Sequence, residues 1–245
     1  MNREKRSLLV VDSSATYLFY MAMLLKKLEY IVRTATTAED ALLILTDPLP
    51  SLVIMDASLP KMSGMDMLKQ MKKNPRLKPI PVIIHTAELD STVKEACMFM
   101  GCTAYFRKPA DPDALYRAIQ AATEAIPRQN IRIEVSLNVE VGNRAVFGNV
   151  LRSETVTTLS EGGLYIKTLT PEPVNTVIPL KLFIRNKEIR ATAVVLYSSE
   201  KIGGPHKVPG MGMRFVSISP EDKAIVHDFI QEQIMKDVAM PGGTC

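Results

Sequence analysis

Cysteine is scarce: Cys97, Cys102 and Cys245 are the only three in a chain of 245 residues. The count is odd and the spacing fits no metal-ligand pattern. That argues against a disulfide scaffold and for a reducing, cytoplasmic home. Histidine is as rare, and His85, His206 and His227 stand near no second ligand in sequence, which argues against zinc. No apolar run approaches the roughly 18 residues that mark a membrane span. The opening MNREKR is charged and leads straight into an apolar run, so it does not read as a signal peptide. There is no internal repeat and no low-complexity tract. No helix-turn-helix or basic aromatic platform is seen, which argues against direct DNA binding. Nothing builds a hydrolase or a synthase, so an enzyme is not expected.

What is present is globular. Hydrophobic residues make up 47% and charged residues 23%, and the length fits two domains of ordinary size. The net charge of +4 is mildly basic. It admits an anionic partner without requiring nucleic acid.

The first half alternates between two patterns. Short apolar runs predict strands at Ser7 to Val11, Tyr30 to Thr34, Leu52 to Met55, Ile80 to Ile84 and Ala104 to Phe106. Helical runs separate them, with Ser13 or Ser14, Thr37 and Ser91 as N-terminal caps and Asp111-Pro112-Asp113 starting the last helix. The first helix shows an apolar face of Leu18, Met21, Leu25 and Leu28. Strands alternating with helices predict a doubly wound parallel sheet, whose ligands bind outside the carboxyl ends of the strands. Four polar groups belong at such ends: Asp12, Asp56, Thr86 just past its strand, and Lys108.

At Pro127-Arg128-Gln129-Asn130-Ile131-Arg132 the pattern changes. From Ile131 apolar residues alternate with polar ones, the period of a half-buried strand. Further strands are expected at Ala145 to Val150, Glu154 to Leu159, Leu164 to Lys167, Val177 to Ile184, Glu188 to Tyr197 and Met211 to Val216. Such spacing predicts a small antiparallel barrel. A last helix from Glu221 to about Lys236, with Ile225, Phe229 and Ile230 on its apolar face, is expected to plug one end. Thr157 to Gly163 reads as a polar turn between strands. The domains expected are 1–125 and 126–245, with 126–132 as a linker carrying two arginines.

Val10-Val11-Asp12, Met55-Asp56, Pro60-Lys61-Met62-Ser63-Gly64, His85-Thr86-Ala87 and Tyr105-Phe106-Arg107-Lys108-Pro109 stand in order across the first half. Together they resemble the receiver domains of bacterial two-component response regulators, whose sheet is flavodoxin-like. The resemblance implies phosphorylation of Asp56 by a sensor histidine kinase. It implies Mg²⁺ held by Asp12, Asp56 and the carbonyl of Ser58, with Lys108 offsetting the phosphoryl charge. Thr86 would bond the new group and Tyr105 would swing inward. The departure is Ser13, where receivers usually carry a second acid; a hydroxyl is a poorer ligand for a hard cation, so weak Mg²⁺ binding is expected.

Arg128 and Arg132 form an RxxxR element, and Thr158-Leu159-Ser160-Glu161-Gly162-Gly163 stands where [D/N]xSxxG would follow. With Gly210-Met211-Gly212-Met213-Arg214-Phe215 and the Ser-Pro-Glu-Asp helix start, the second half resembles PilZ domains, receptors for cyclic di-GMP. The resemblance implies that Arg128, Arg132, Thr158, Ser160 and Gly163 bind that ligand. Arginine suits it, because its planar fork pairs with phosphate and its face stacks on guanine. Thr158 replaces an Asp or Asn, which weakens the expected binding. The combination implies a regulator that relays both signals to a protein partner. The alternative is an adaptor with two degenerate sites that acts only through protein contacts.

Overall fold

The structure, a computed structural model, describes residues 6–46, 48–88, 90–142, 152–199 and 209–236. The expected strand at 145–150, Asn143 of the preceding turn, the loop at 202–206 and the tail from Met240 lie outside the described residues. The chain divides into two units, and the division falls between Gln129 and Asn130. Among the described residues no helix is long and apolar enough to cross a membrane.

The first unit runs β1 (Ser7–Val11), α1 (Ala15–Lys27), β2 (Ile31–Ala35), α2 (Ala38–Ile44), β3 (Leu52–Met55), α3 (Gly64–Lys73), β4 (Val82–Thr86), α4 (Ser91–Phe99), β5 (Ala104–Arg107) and α5 (Pro112–Thr123). Its sheet has the order β2-β1-β3-β4-β5, parallel throughout. Every residue of β3 and β4 is buried, as continuous apolar runs in a sheet covered on both faces should be. The pleat sorts them. Leu9, Val11, Val53, Met55, Val82 and Ile84 share one core cluster with Ala38, Ala41, Met67, Leu68 and Met71. Leu8, Val10, Ile54 and Ile83 are buried on the opposite face. Leu18, Met21, Leu25 and Leu28 are all buried, as the helical spacing predicts.

Side-chain oxygens of Ser14, Thr37, Ser63, Asp90 and Asp111 accept the first free N–H groups of their helices. Each such cap contributes about 1 kcal/mol. The α4 cap is therefore Asp90, not Ser91. A carboxylate there also meets the positive end of the helix dipole. The fourth strand likewise runs later than its apolar residues suggest, so that Thr86 is its last residue and pairs with Arg107.

The second unit runs β6 (Ile133–Val141), β7 (Arg152–Ser160), β8 (Gly163–Lys167), β9 (Val177–Ile184), β10 (Lys187–Ser199), β11 (Gly210–Ile218) and α6 (Pro220–Met235). The strands close into an antiparallel barrel in the order β10-β11-β8-β7-β6-β9. Closure leaves no sheet edge for stray pairing. Period-two burial builds the interior: Ile178, Leu180, Leu182 and Ile184 of β9 are all buried. The Ser219 hydroxyl caps α6 and Pro220 opens it. The helix packs on β6 and β7 through Val226, Ile230 and Ile234, spaced one turn apart. Ile225 and Phe229, expected on that face, are only half-buried. Thr157 to Leu159, where the expected strand Glu154 to Leu159 and the expected turn overlap, belong to β7 together with Ser160, and only Glu161 and Gly162 lie between strands.

Candidate functional site

Parallel pairing of Val11 with Met55, Met55 with Ile84 and Thr86 with Arg107 brings four strand ends to one edge. Asp12 follows β1, Asp56 follows β3, Thr86 ends β4 and Lys108 follows β5. Backbone bonds fix their level: Asp56 N–H donates to the Val11 carbonyl at 2.9 Å, and Lys108 N–H to the Thr86 carbonyl at 2.9 Å. Their side chains meet. Lys108 Nζ donates to Oδ2 of Asp12 and, at 2.5 Å, to Oδ2 of Asp56. Thr86 Oγ1 donates to Asp56 Oδ1 at 2.5 Å, and Ser58 N–H donates to the same oxygen at 3.0 Å. Ser14 N–H donates to Asp12 Oδ1 at 2.9 Å. Every carboxylate oxygen of the pair thus has a donor.

Asp12 and Asp56 are 3% and 8% exposed, so this is a nearly buried site with two carboxylates and one ammonium. Buried charges persist only when paired and bonded in this way. The two Oδ2 atoms turn toward one point. Converging hard oxygens fit Mg²⁺, in exchange for the ammonium that now holds the point. Ser13 is exposed and adds no acid. Gly64 closes the loop beneath: a Cβ there would stand 2.0 Å from the Asp56 carbonyl oxygen. Only glycine permits that approach.

Two residues without a role in the sequence reading stand beside the cluster. The Tyr17 ring lies 4.5 Å from Lys108 Nζ, and its hydroxyl is 3.1 Å from His85 Nε2. His85 is 2% exposed. Burial, with the Lys108 charge second, pushes its pKa down to about 4, while Asp56 pulls the other way. Burial, then Tyr20 and the two aspartates, pushes the Tyr17 hydroxyl up. Tyr105 is half-buried, and its hydroxyl donates to the Glu88 carbonyl at 3.3 Å. The sequence signal for His85 is its place in His85-Thr86-Ala87, just past an apolar strand, which gives it no role of its own. Tyr17 gives none, because its partner His85 lies 68 residues further along the chain.

In the second unit, Arg132 is exposed and directly precedes β6. The register Ile133 with Leu159 and Glu134 with Thr158 brings it level with Ser160. Thr158 is half-buried within β7, opposite Glu134 and Tyr165. Ser160 is 9% exposed, and its hydroxyl donates to the Gly163 carbonyl at 3.0 Å. Gly163 is a glycine because β11 leaves no room, for a Cβ would stand 2.1 Å from the Met213 carbonyl oxygen. Arg128 belongs to the first unit, where its N–H donates to Gln120 Oε1 at 3.1 Å.

Residues 8–120 match the response regulator receiver domain, and residues 126–232 match the PilZ domain. The two-component response regulator ORR5 of Oryza sativa subsp. japonica is 32% identical over 110 residues, 44% of this chain and 82% of that protein. Protein PilH of Pseudomonas aeruginosa is 30% identical over 114 residues, 46% of this chain and 94% of that one. The chain belongs to the response regulators. The probable transcriptional regulator ycf27 of Cyanidium caldarium is 28% identical over 158 residues, and the chain spans 62% of that relative's length. In this response regulator the receiver is the unit of β1 to α5, and the PilZ barrel with its helix is the unit of β6 to α6.

Proposed function

We propose that this response regulator accepts a phosphoryl group on Asp56 from a sensor histidine kinase in the cytoplasm, reads cyclic di-GMP through its PilZ domain, and relays both to a protein partner. The observation that carries the first part is the convergence of Asp12, Asp56, Thr86 and Lys108. The Asp56 carboxylate attacks phosphorus. The new P–O bond forms as the P–N bond of the kinase phosphohistidine breaks, and the imidazole keeps the electron pair. Charge spreads over the equatorial oxygens. Lys108 turns its ammonium from the carboxylates to those oxygens as a point charge. Thr86, released from Oδ1, donates to the phosphoryl group. Tyr105, tethered to Glu88, follows that loop inward. Mg²⁺, held by Asp12, Asp56 and the Ser58 carbonyl, supplies further positive charge. With Ser13 in place of an acid, it binds weakly.

For the nucleotide, Arg132 and Arg128 pair with phosphate and stack on guanine. Ser160 has spent its proton on Gly163, so it meets a guanine N–H as an acceptor. Thr158 contributes one hydroxyl, and Gly163 leaves the backbone uncovered by a side chain. A second reading, a protein-binding adaptor, is favoured by the same observations that limit the first. Every carboxylate oxygen already has a donor, Ser13 is not an acid, and the Ser160 proton is committed.

Calorimetric titration of cyclic di-GMP, with and without beryllofluoride, separates the two. Heat that shrinks in Arg128→Ala and Arg132→Ala supports the receptor; silence in every state favours the adaptor. If beryllofluoride tightens the nucleotide, the nucleotide must tighten beryllofluoride by the same factor.

A further inference from the structure

Tyr17 comes four residues after Ser13, the position where receivers usually carry a second acid. It supplies a π-face instead. The ring faces the ammonium that bridges Asp12 and Asp56, with 4.5 Å from Nζ to the centroid. Its hydroxyl is 3.1 Å from Nε2 of His85, a residue 2% exposed on the inner strand β4. The His85 and Tyr17 ring centroids are 5.6 Å apart, and Tyr20 lies 5.7 Å away within α1. The ring is therefore held from the strand below and from its own helix. The Lys108 ammonium has three partners, two carboxylates and one aromatic face, and the face adds attraction without adding negative charge.

We infer that Tyr17, braced by His85, is a positioning residue that fastens Lys108 between Asp12 and Asp56 as the resident cation, so that a divalent ion enters only by displacing it. The inference rests on reading this cluster as the acceptor site. Exchange of ammonium for metal frees Lys108 to meet the phosphoryl oxygens. Tyr17 thereby sets how readily the site changes from its closed, self-neutralised form to its loaded one. Removing the ring weakens the resident cation and favours the metal.

The test uses the full chain as wild type, Tyr17→Leu, Tyr17→Met, Tyr17→Phe and His85→Leu. The first readout is acetylation of the Lys108 amine by an activated ester in the absence of metal, followed by peptide mass spectrometry. The second is a Mg²⁺ titration read from the backbone amide signals of Ser14 and Ser58. Tyr17→Leu and Tyr17→Met should label Lys108 several-fold faster and bind Mg²⁺ about two- to thirty-fold tighter, the worth of one cation–π contact. Tyr17→Phe keeps the face but loses the hydroxyl contact with His85, so it and His85→Leu should both fall between wild type and the ringless variants. A role in packing alone would lower the melting temperature without this partial rescue by phenylalanine. Equal Lys108 labelling in wild type and in whichever ringless variant stays folded overturns the inference. Failure of the acceptor reading looks different: Asp56 takes no phosphoryl group in any variant, while Lys108 labelling still responds to Tyr17.

Discussion

In the receiver, Asp12, Asp56, Thr86 and Lys108 bond to one another through their side chains. In the barrel, Ser160 bonds to the backbone of its own hairpin, and Gly163 presses against the backbone of β11. Both groups sit in motifs of equal prominence in the sequence. The first is a site already assembled, with opposite charges in contact before any ligand arrives. The second is a piece of fold that holds a turn in shape, with Arg132 beside it at the level of Ser160. A motif residue therefore acts on a ligand either with its own side chain or through the backbone it shapes, and the two respond differently to mutation.

The sharpest contrast is expected from Asp56→Asn. It should abolish phosphoryl uptake from a small phosphodonor, read by mass spectrometry, and leave the barrel's melting unchanged. Uptake that persists would break the contrast at its root. The two crowded glycines come next. Gly64→Ala and Gly163→Ala each force a Cβ to about 2 Å from a carbonyl oxygen. Each should cost about 3 kcal/mol in denaturant unfolding, because neither contact is with a flexible side chain. Gly64→Ala should also slow phosphorylation, since it displaces the Asp56 backbone, whereas Gly163→Ala should leave phosphorylation alone.

Acid should then separate the halves. The folded pKa of His85, about 4, lies below its unfolded value of 6.5. The unfolded state therefore binds more protons between those values, and stability rises with pH across that window. His85's contribution is complete above pH 6.5 and is lost as pH falls toward 4, by roughly 3 kcal/mol at most. Tyr17, Lys108 and Asp56 are the ionisable groups that act on it there. Receiver unfolding at pH 7 and pH 4.5 should differ by less in His85→Leu than in wild type, and an equal difference would remove His85 as the cause.

The smallest effect is expected at the barrel. Arg132→Ala should weaken cyclic di-GMP about ten- to a hundredfold, the worth of a charged hydrogen bond. Ser160→Ala should instead lower melting by about 1 kcal/mol, since its bond closes the hairpin. If Ser160→Ala changed only affinity and left melting alone, the division drawn between the two would fail.

Much of this was legible beforehand. Runs such as Leu52 to Met55 announced central strands, and the alternation from Ile131 announced the barrel wall. Boundaries were less so. Polar residues finish strands and hydrogen bonding, not hydrophobicity, decides where pairing stops, so Thr86 and Ser160 read as lying just past their strands. The inward face of α6 is legible only at Ile230, because Val226 and Ile234 beside it meet strands whose positions no local pattern encodes.

The sequence by itself determined the two periodicities, the capping residues and the set of groups able to carry charge, because these depend on neighbours a few residues away. Only the tertiary structure decided which charges meet. Lys108 lies far along the chain from Asp12 and reaches it because β1 and β5 end at one edge of the same sheet. Tyr17 and His85 join that cluster through a side-chain contact across 68 residues of chain. Gly163 owes its identity to the neighbouring strand β11. In each case the deciding contact is long-range, and its energy exists only once the strand order is set.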